Sequence, residues 1–301
     1  MIEGFLGYVE IKTKITSIFA FLMALSYLFY LGQPLELLKT GVFFAGMFLF
    51  DLTTTAINNY IDTKTNEQIL PFKRKKALII IYILFLVSAA FGIWLVILTD
   101  FVVLALGCIS FAAGVLYTYG PIPISRQPWG EAFSGFFYGL LIPLLLLYIN
   151  MPEGYYFSIE FTRETISGQI NIMPAFTLML LSINPVCATA NIMLANNICD
   201  LEKDIKVKRY TLPYYLGDKA LYLFAAIYYM TYLATIVMVV IRILHPICLL
   251  SLLTIVAVQK NIKAFMAVQD KETTFIVSIK NYIMIMAAFT MTIFVSGLIS
   301  Q

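Results

Sequence analysis

GVFFAGMFLFDLTTTAINNYIDTKTN, residues 41–66, is an apolar run that ends in a ladder of amides and carboxylates. The apolar part belongs to a span expected over 38–57, about the 20 residues a helix needs to cross the hydrocarbon core of a bilayer. Its polar end leads to Lys64 and the basic cluster Lys73, Arg74, Lys75 and Lys76. The pattern recurs in the second half. A span expected over 173–195 runs into Asn196-Asn197-Ile198-Cys199-Asp200-Leu201-Glu202-Lys203-Asp204, which matches Asn58 to Asn66 as N-N-x-x-D-x-x-x-[N/D]. The repeat points to one domain, 1–301, made of two halves of roughly 1–130 and 131–301.

The rest of the chain agrees with a membrane reading. Of the 301 residues, 61% are hydrophobic and 12% charged, with a mean hydropathy of +0.88; soluble domains hold roughly 45–50% and about 25%. Apolar runs bounded by charges or Gly/Pro predict nine spans, at 15–32, 38–57, 77–98, 101–118, 132–149, 173–195, 219–241, 245–259 and 281–300. The fold class is all-α, a polytopic bundle. With the N-terminus inside, 17 of the 20 Lys and Arg fall on the cytoplasmic side, and Lys39, Arg163 and Arg242 fall opposite. That asymmetry fixes the expected orientation in a cell membrane: active-site loops in the cytoplasm, C-terminus and the 150–172 loop outside.

Other classes are excluded by what is missing. A net charge of +3 implies no nucleic-acid partner, and the four cysteines form no C-x-x-C pair, so they read as packing residues. His245 stands alone at a span edge and reads as a helix-end residue. The opening MIEGFLGYVEIKTKI reads as an amphipathic entry at the interface, with no cleavable signal after it.

The ladders carry the chemistry. Residues four apart share a helix face, so Asn58, Asp62 and Asn66 form one oxygen-bearing stripe and Asn196, Asp200 and Asp204 another. Carboxylates near hydrocarbon need a cation, water or a hydrogen-bond network. Hard oxygens of this kind suit Mg²⁺ completed by water and phosphate. Around them lie cations able to hold a diphosphate, Lys12 and Lys14, Lys73 and Arg74, and Lys203, Lys208 and Arg209; Asn59 and Asn197 adjoin the stripes as further substrate contacts. Aromatic faces such as Tyr60, Tyr117 and Tyr119 could meet an allylic cation. One such stripe alone would read as helix caps; two on the same expected face read as a site. A cation or metabolite transporter also uses paired polar repeats, but places them at mid-span, whereas these lie at span ends.

These residues resemble the UbiA superfamily of intramembrane prenyltransferases, with its nine helices and its two motifs, N-D-x-x-D-x-x-x-D and D-x-x-x-D. The stretch Asn196 to Asp204, followed by Arg209-Tyr210-Thr211-Leu212 and Leu216-Gly217, is similar to the 1,4-dihydroxy-2-naphthoate polyprenyltransferase branch. So is Tyr117-Thr118-Tyr119-Gly120-Pro121-Ile122-Pro123, continuing to Gly130-Glu131. The resemblance implies that Asn58, Asp62, Asp200 and Asp204 hold Mg²⁺ with a polyprenyl diphosphate. It also implies that an aromatic acceptor is alkylated with loss of CO₂ to a demethylmenaquinone-type product. Hydroxybenzoate, homogentisate, haem and a glycerol lipid are the alternative acceptors. Asn59 and Asn66 replace family acids, and Lys208 takes a common Gly position.

Overall fold

The computed structural model describes residues 2–64 and 69–300; Asn66, a candidate ligand of the first stripe, lies outside them. Among the described residues nine helices are long and apolar enough to cross a membrane. A short α1, Ile2–Tyr8, and a 3₁₀ turn, Ile11–Lys14, lead into α2 (Ile15–Tyr30), α3 (Leu37–Asp62), α4 (Arg74–Leu98) and α5 (Phe101–Thr118). α6 spans Gly130–Asn150 with a π-helical middle, Gly135–Leu141; α7 is Ile172–Cys199. Two short helices, α8 (Leu201–Lys206) and α9 (Leu212–Leu216), precede α10 (Lys219–Val240), α11 (Pro246–Ala267, opening as a 3₁₀ helix) and α12 (Ile276–Ser300).

The expected spans appear in order; α3 runs on to Asp62, past 57, and α12 starts at Ile276, before 281, and two differences are larger. α11 continues eight residues past the expected end at 259, because Lys260 and Lys263 do not terminate it: they sit on its exposed face while Val258, Ile262 and Phe265 are buried on the other. The 150–172 connection is not a plain loop but a hairpin, β1 (Phe157–Phe161) antiparallel to β2 (Ile166–Ile170), with Phe157 opposite Ile170.

Lipid tails are as apolar as leucine, so close packing rather than water exclusion holds such a bundle together. The tightest approach is between α6 and α7. A Cβ at Gly139 would fall 2.2 Å from the backbone nitrogen of Val186, and one at Gly135 would fall 2.8 Å from its carbonyl oxygen; this Gly-x-x-x-Gly pair lets the two backbones touch beside Pro185, which lies inside the continuous α7. α12 packs back on α2, where the Tyr282 hydroxyl donates to the carbonyl of Thr16 at 2.9 Å. α3 pairs with α4, and α7 also packs on α10. His245 caps α11, its Nδ1 accepting from the Ile247 amide at 3.2 Å.

Candidate active site

The helices enclose a cavity of about 860 Å³. Along α3 its wall runs from Val42 to Asp62, which at 1.5 Å per residue is about 30 Å, most of the hydrocarbon thickness. One end is polar, where α3 and α7 finish and α2 and α12 begin. There the wall carries Asn58, Asn59, Asp62, Asn196 and Asp200, together with Lys12, Arg209 and Lys271. The remainder is aromatic and aliphatic. Phe50 and Phe111 stack across it with ring centroids 4.0 Å apart, a pairing that Gly114 permits, since a Cβ there would meet Phe50 at 2.6 Å.

The first stripe is anchored from the side. Asn58 Oδ1 accepts from the Thr118 hydroxyl at 3.0 Å, and Asn59 Nδ2 donates to the carbonyl of Tyr8 and to Glu10. In the second stripe the i to i−4 backbone ladder continues across the helix break, from Asp200 to Asn196 and from Asp204 to Asp200. The side chains nevertheless part. Asn196 and Asp200 reach the cavity and are held by Lys271, whose Nζ lies 2.6 Å from Asp200 Oδ2 and also bonds Asn196 Oδ1. Asn197 points away into a buried bond with Glu131, 2.8 Å. Asp204 is buried off the cavity wall, 3.7 Å from Arg209, whose Nε is given to the carbonyl of Ser125. Burial pushes the Asp204 carboxyl up to about 6; Arg209 and Lys271 pull it down, while Asp200 and Asp62 push it further up. Fields from both stripes thus meet at this one carboxyl.

The other candidates divide. Lys12, Arg209 and Tyr117 line the cavity. Lys14 lines it too, but it is 2% exposed and committed: its Nζ meets Asp51 Oδ1 at 2.8 Å, the Asp51 carbonyl at 3.0 Å and the Thr55 hydroxyl. With its donors so used it is not a ready diphosphate cation, contrary to expectation. Lys73, Arg74, Lys203 and Tyr119 lie off the wall and exposed; Arg74 stacks over Tyr60 at 4.6 Å and donates to its carbonyl. Residues that the sequence reading missed are Asp51, Glu131 and Lys271.

The donor set decides which cation the site fits. Among the described residues no three His, Cys, Asp or Glu side chains gather tightly enough to enclose a metal alone. Four carboxylates line the cavity; Asp51 is tied to Lys14 and Glu10 to Asn59, which leaves Asp62 and Asp200, with the amide oxygens of Asn58 and Asn196, as the donors at the polar end. That is the set for a hard cation that completes its shell with water and substrate phosphate, and it fits Mg²⁺.

A sequence model described as the UbiA prenyltransferase family matches residues 17–279. The 1,4-dihydroxy-2-naphthoate octaprenyltransferase of Bacillus subtilis (strain 168) is 32% identical over 136 residues, a stretch covering 45% of this chain and 37% of that protein. A solved structure of digeranylgeranylglyceryl phosphate synthase superposes with a TM-score of 0.65 at 16% identity, over 99% of this chain and 98% of that one. A UbiA homologue from Archaeoglobus fulgidus bound to GPP and Mg²⁺ gives 0.55 at 12%, over 97% and 99%.

Proposed function

The chain belongs to the UbiA prenyltransferase family, and from that membership we propose that it transfers a polyprenyl group from its diphosphate to 1,4-dihydroxy-2-naphthoate, with decarboxylation to the reduced, quinol form of a demethylmenaquinone-type product. Prenyl transfer itself follows from the family. The acceptor is supported by the partial similarity to the Bacillus subtilis enzyme and by the stretch Tyr117 to Pro123. The observation that carries the reading is a single cavity with Asn58, Asp62, Asn196 and Asp200 at one end and an apolar wall along the rest.

In this reading Asp62 and Asp200, with Asn58 and Asn196, would hold Mg²⁺ at the end of the cavity that takes the diphosphate. Bound Mg²⁺ supplies positive charge against the charge that develops on the leaving oxygen. Lys12 and Arg209 add cationic contacts from the same end. The prenyl chain lies along the apolar wall, past the stacked Phe50 and Phe111. The allylic C–O bond breaks with its electron pair leaving on the diphosphate, and Tyr117 faces the resulting cation. The ring carbon bearing the carboxylate forms the new C–C bond; CO₂ departs and returns its bonding pair to the ring. No general base is required, because the acceptor is already electron-rich. The split of 17 basic residues to 3 supports a polar end facing the cytoplasm.

The test is incubation of purified protein with Mg²⁺, dihydroxynaphthoate and a labelled prenyl diphosphate, with mass analysis of the extracted lipid. Hydroxybenzoate, homogentisate, haem and a glycerol phosphate lipid run in parallel. A product only with dihydroxynaphthoate is expected; a product only with another acceptor reassigns the substrate.

A further inference from the structure

Lys271 stands on the two oxygens of the second stripe that face the cavity. It comes from the loop joining α11 to α12, where Asp270 Oδ1 accepts from the amides of Glu272 and Thr273 at 3.1 and 2.8 Å and from the Thr273 hydroxyl at 2.6 Å. That turn fixes the root of the lysine. The side chain then passes over the Phe275 ring, Nζ 4.8 Å from its centroid, and ends on Asp200 and Asn196.

Two features mark this as an exchangeable contact. The pair is open, with side-chain exposures of 34% for Lys271 and 22% for Asp200. Its acceptors, Asp200 Oδ2 and Asn196 Oδ1, are among the oxygens that this side of the cavity offers a divalent ion. A carboxylate at the edge of hydrocarbon needs a counter-charge, and Lys271 supplies it when no substrate is bound. An ammonium and a divalent ion cannot share one carboxylate oxygen without strong repulsion. The displaced ammonium sits on a four-carbon stem with freely rotating donors, beside a diphosphate whose charge exceeds what one divalent ion neutralises.

We infer that Lys271 is a built-in counter-ion, holding Asp200 and Asn196 in the empty protein and moving to the diphosphate when a metal–diphosphate pair takes its place. This rests on the metal-site reading above.

The test uses full-length protein in detergent. Mn²⁺ alone is titrated by electron paramagnetic resonance into unsubstituted protein, Lys271→Ala, Lys271→Arg and Asp200→Asn, and inorganic pyrophosphate is then titrated at saturating Mn²⁺. Lys271→Ala is expected to bind Mn²⁺ roughly five- to tenfold more tightly and pyrophosphate roughly five- to tenfold more weakly, with Lys271→Arg close to unsubstituted protein. An unchanged or weakened Mn²⁺ affinity in Lys271→Ala, or an undiminished pyrophosphate affinity, overturns the inference. If Asp200→Asn loses the ion while Lys271→Ala fails to tighten it, only the Lys271 assignment falls. If Asp200→Asn binds Mn²⁺ as well as unsubstituted protein, the metal-site reading falls with it.

Discussion

Lys14–Asp51 and Lys271–Asp200 are both lysine–aspartate pairs on the wall of one cavity, with Nζ–O distances of 2.8 and 2.6 Å. Their surroundings separate them. The first is sealed, at 2% and 4% exposure, and Asp51 also accepts from the Ser17 hydroxyl at 2.6 Å and the Tyr138 hydroxyl at 2.7 Å. It joins three spans, α2, α3 and α6, through a lysine whose three donors are all used within the cluster. The second is open and hangs from a loop. Similar distances therefore describe a bolt in one case and a latch in the other; what distinguishes them is how many of their bonds a substrate could replace.

Lys14→Met breaks that comparison most severely. Removing one partner of a buried ion pair leaves an uncompensated charge and costs about 3–5 kcal/mol, so a large drop in thermal unfolding temperature in detergent is expected. Lys271→Ala, acting on an exposed pair, should cost under about 1 kcal/mol. The double variant Lys14→Met/Asp51→Leu should recover most of the loss, because replacing both charges is close to neutral. A stable Lys14→Met protein with a raised KM for prenyl diphosphate would instead make Lys14 a substrate ligand.

The aspartates give the next contrast. Asp62→Ala and Asp200→Ala should each lower turnover by about 10²–10³-fold, the scale for deleting one group that stabilises developing charge, while remaining folded. Asp51→Asn should act chiefly on stability. Normal turnover in both Asp62→Ala and Asp200→Ala would end the assignment of the polar end as the reacting end.

Neighbouring asparagines sharpen the distinction further. Asn196 faces the cavity, whereas Asn197 is the donor to the buried Glu131. Asn197→Ala strands that carboxyl and should cost about 1–3 kcal/mol of stability. Asn59→Ala should cost less, since it strands no buried charge: its partners are the neutral carbonyl of Tyr8 and the exposed Glu10. Comparable unfolding temperatures for the two variants would show that Glu131 finds another donor.

These contrasts mark what the sequence could and could not disclose. The spans were legible because apolar length has one meaning in a bilayer, and the two stripes because a four-residue spacing is local. The partners were not legible. Asp51 with Lys14, Glu131 with Asn197 and Lys271 with Asp200 are 37, 66 and 71 positions apart, and only packing of the helices brings them together. Asn197 lies one position off the stripe and faces Glu131, while Asp204 parts from Asn196 and Asp200 because the helix breaks at Asp200, between α7 and α8, so a four-residue spacing no longer keeps one face. α11 was cut short for a related reason, since a lysine ends a span only when it has no lipid-free face to occupy.

Lys208 offers the smallest effect and the finest test of the open end. It follows α8 with φ at +57°, its amide bonding the carbonyl of Ile205 at 3.1 Å while the Arg209 amide returns to the carbonyl of Asp204 at 2.9 Å. That is the helix-ending geometry in which glycine is the usual residue, which gives a physical reason for the glycine that the family resemblance leads one to expect here. A non-glycine residue there costs about 1–2 kcal/mol, part of which a glycine gives back as entropy in the unfolded chain. Lys208→Gly should therefore raise stability by up to about 1 kcal/mol and leave turnover within about twofold. The lysine side chain is exposed and off the cavity wall, so a several-fold rise in KM for prenyl diphosphate would mean that Lys208 swings in to touch it, and that the open end recruits cations beyond Lys12, Arg209 and Lys271.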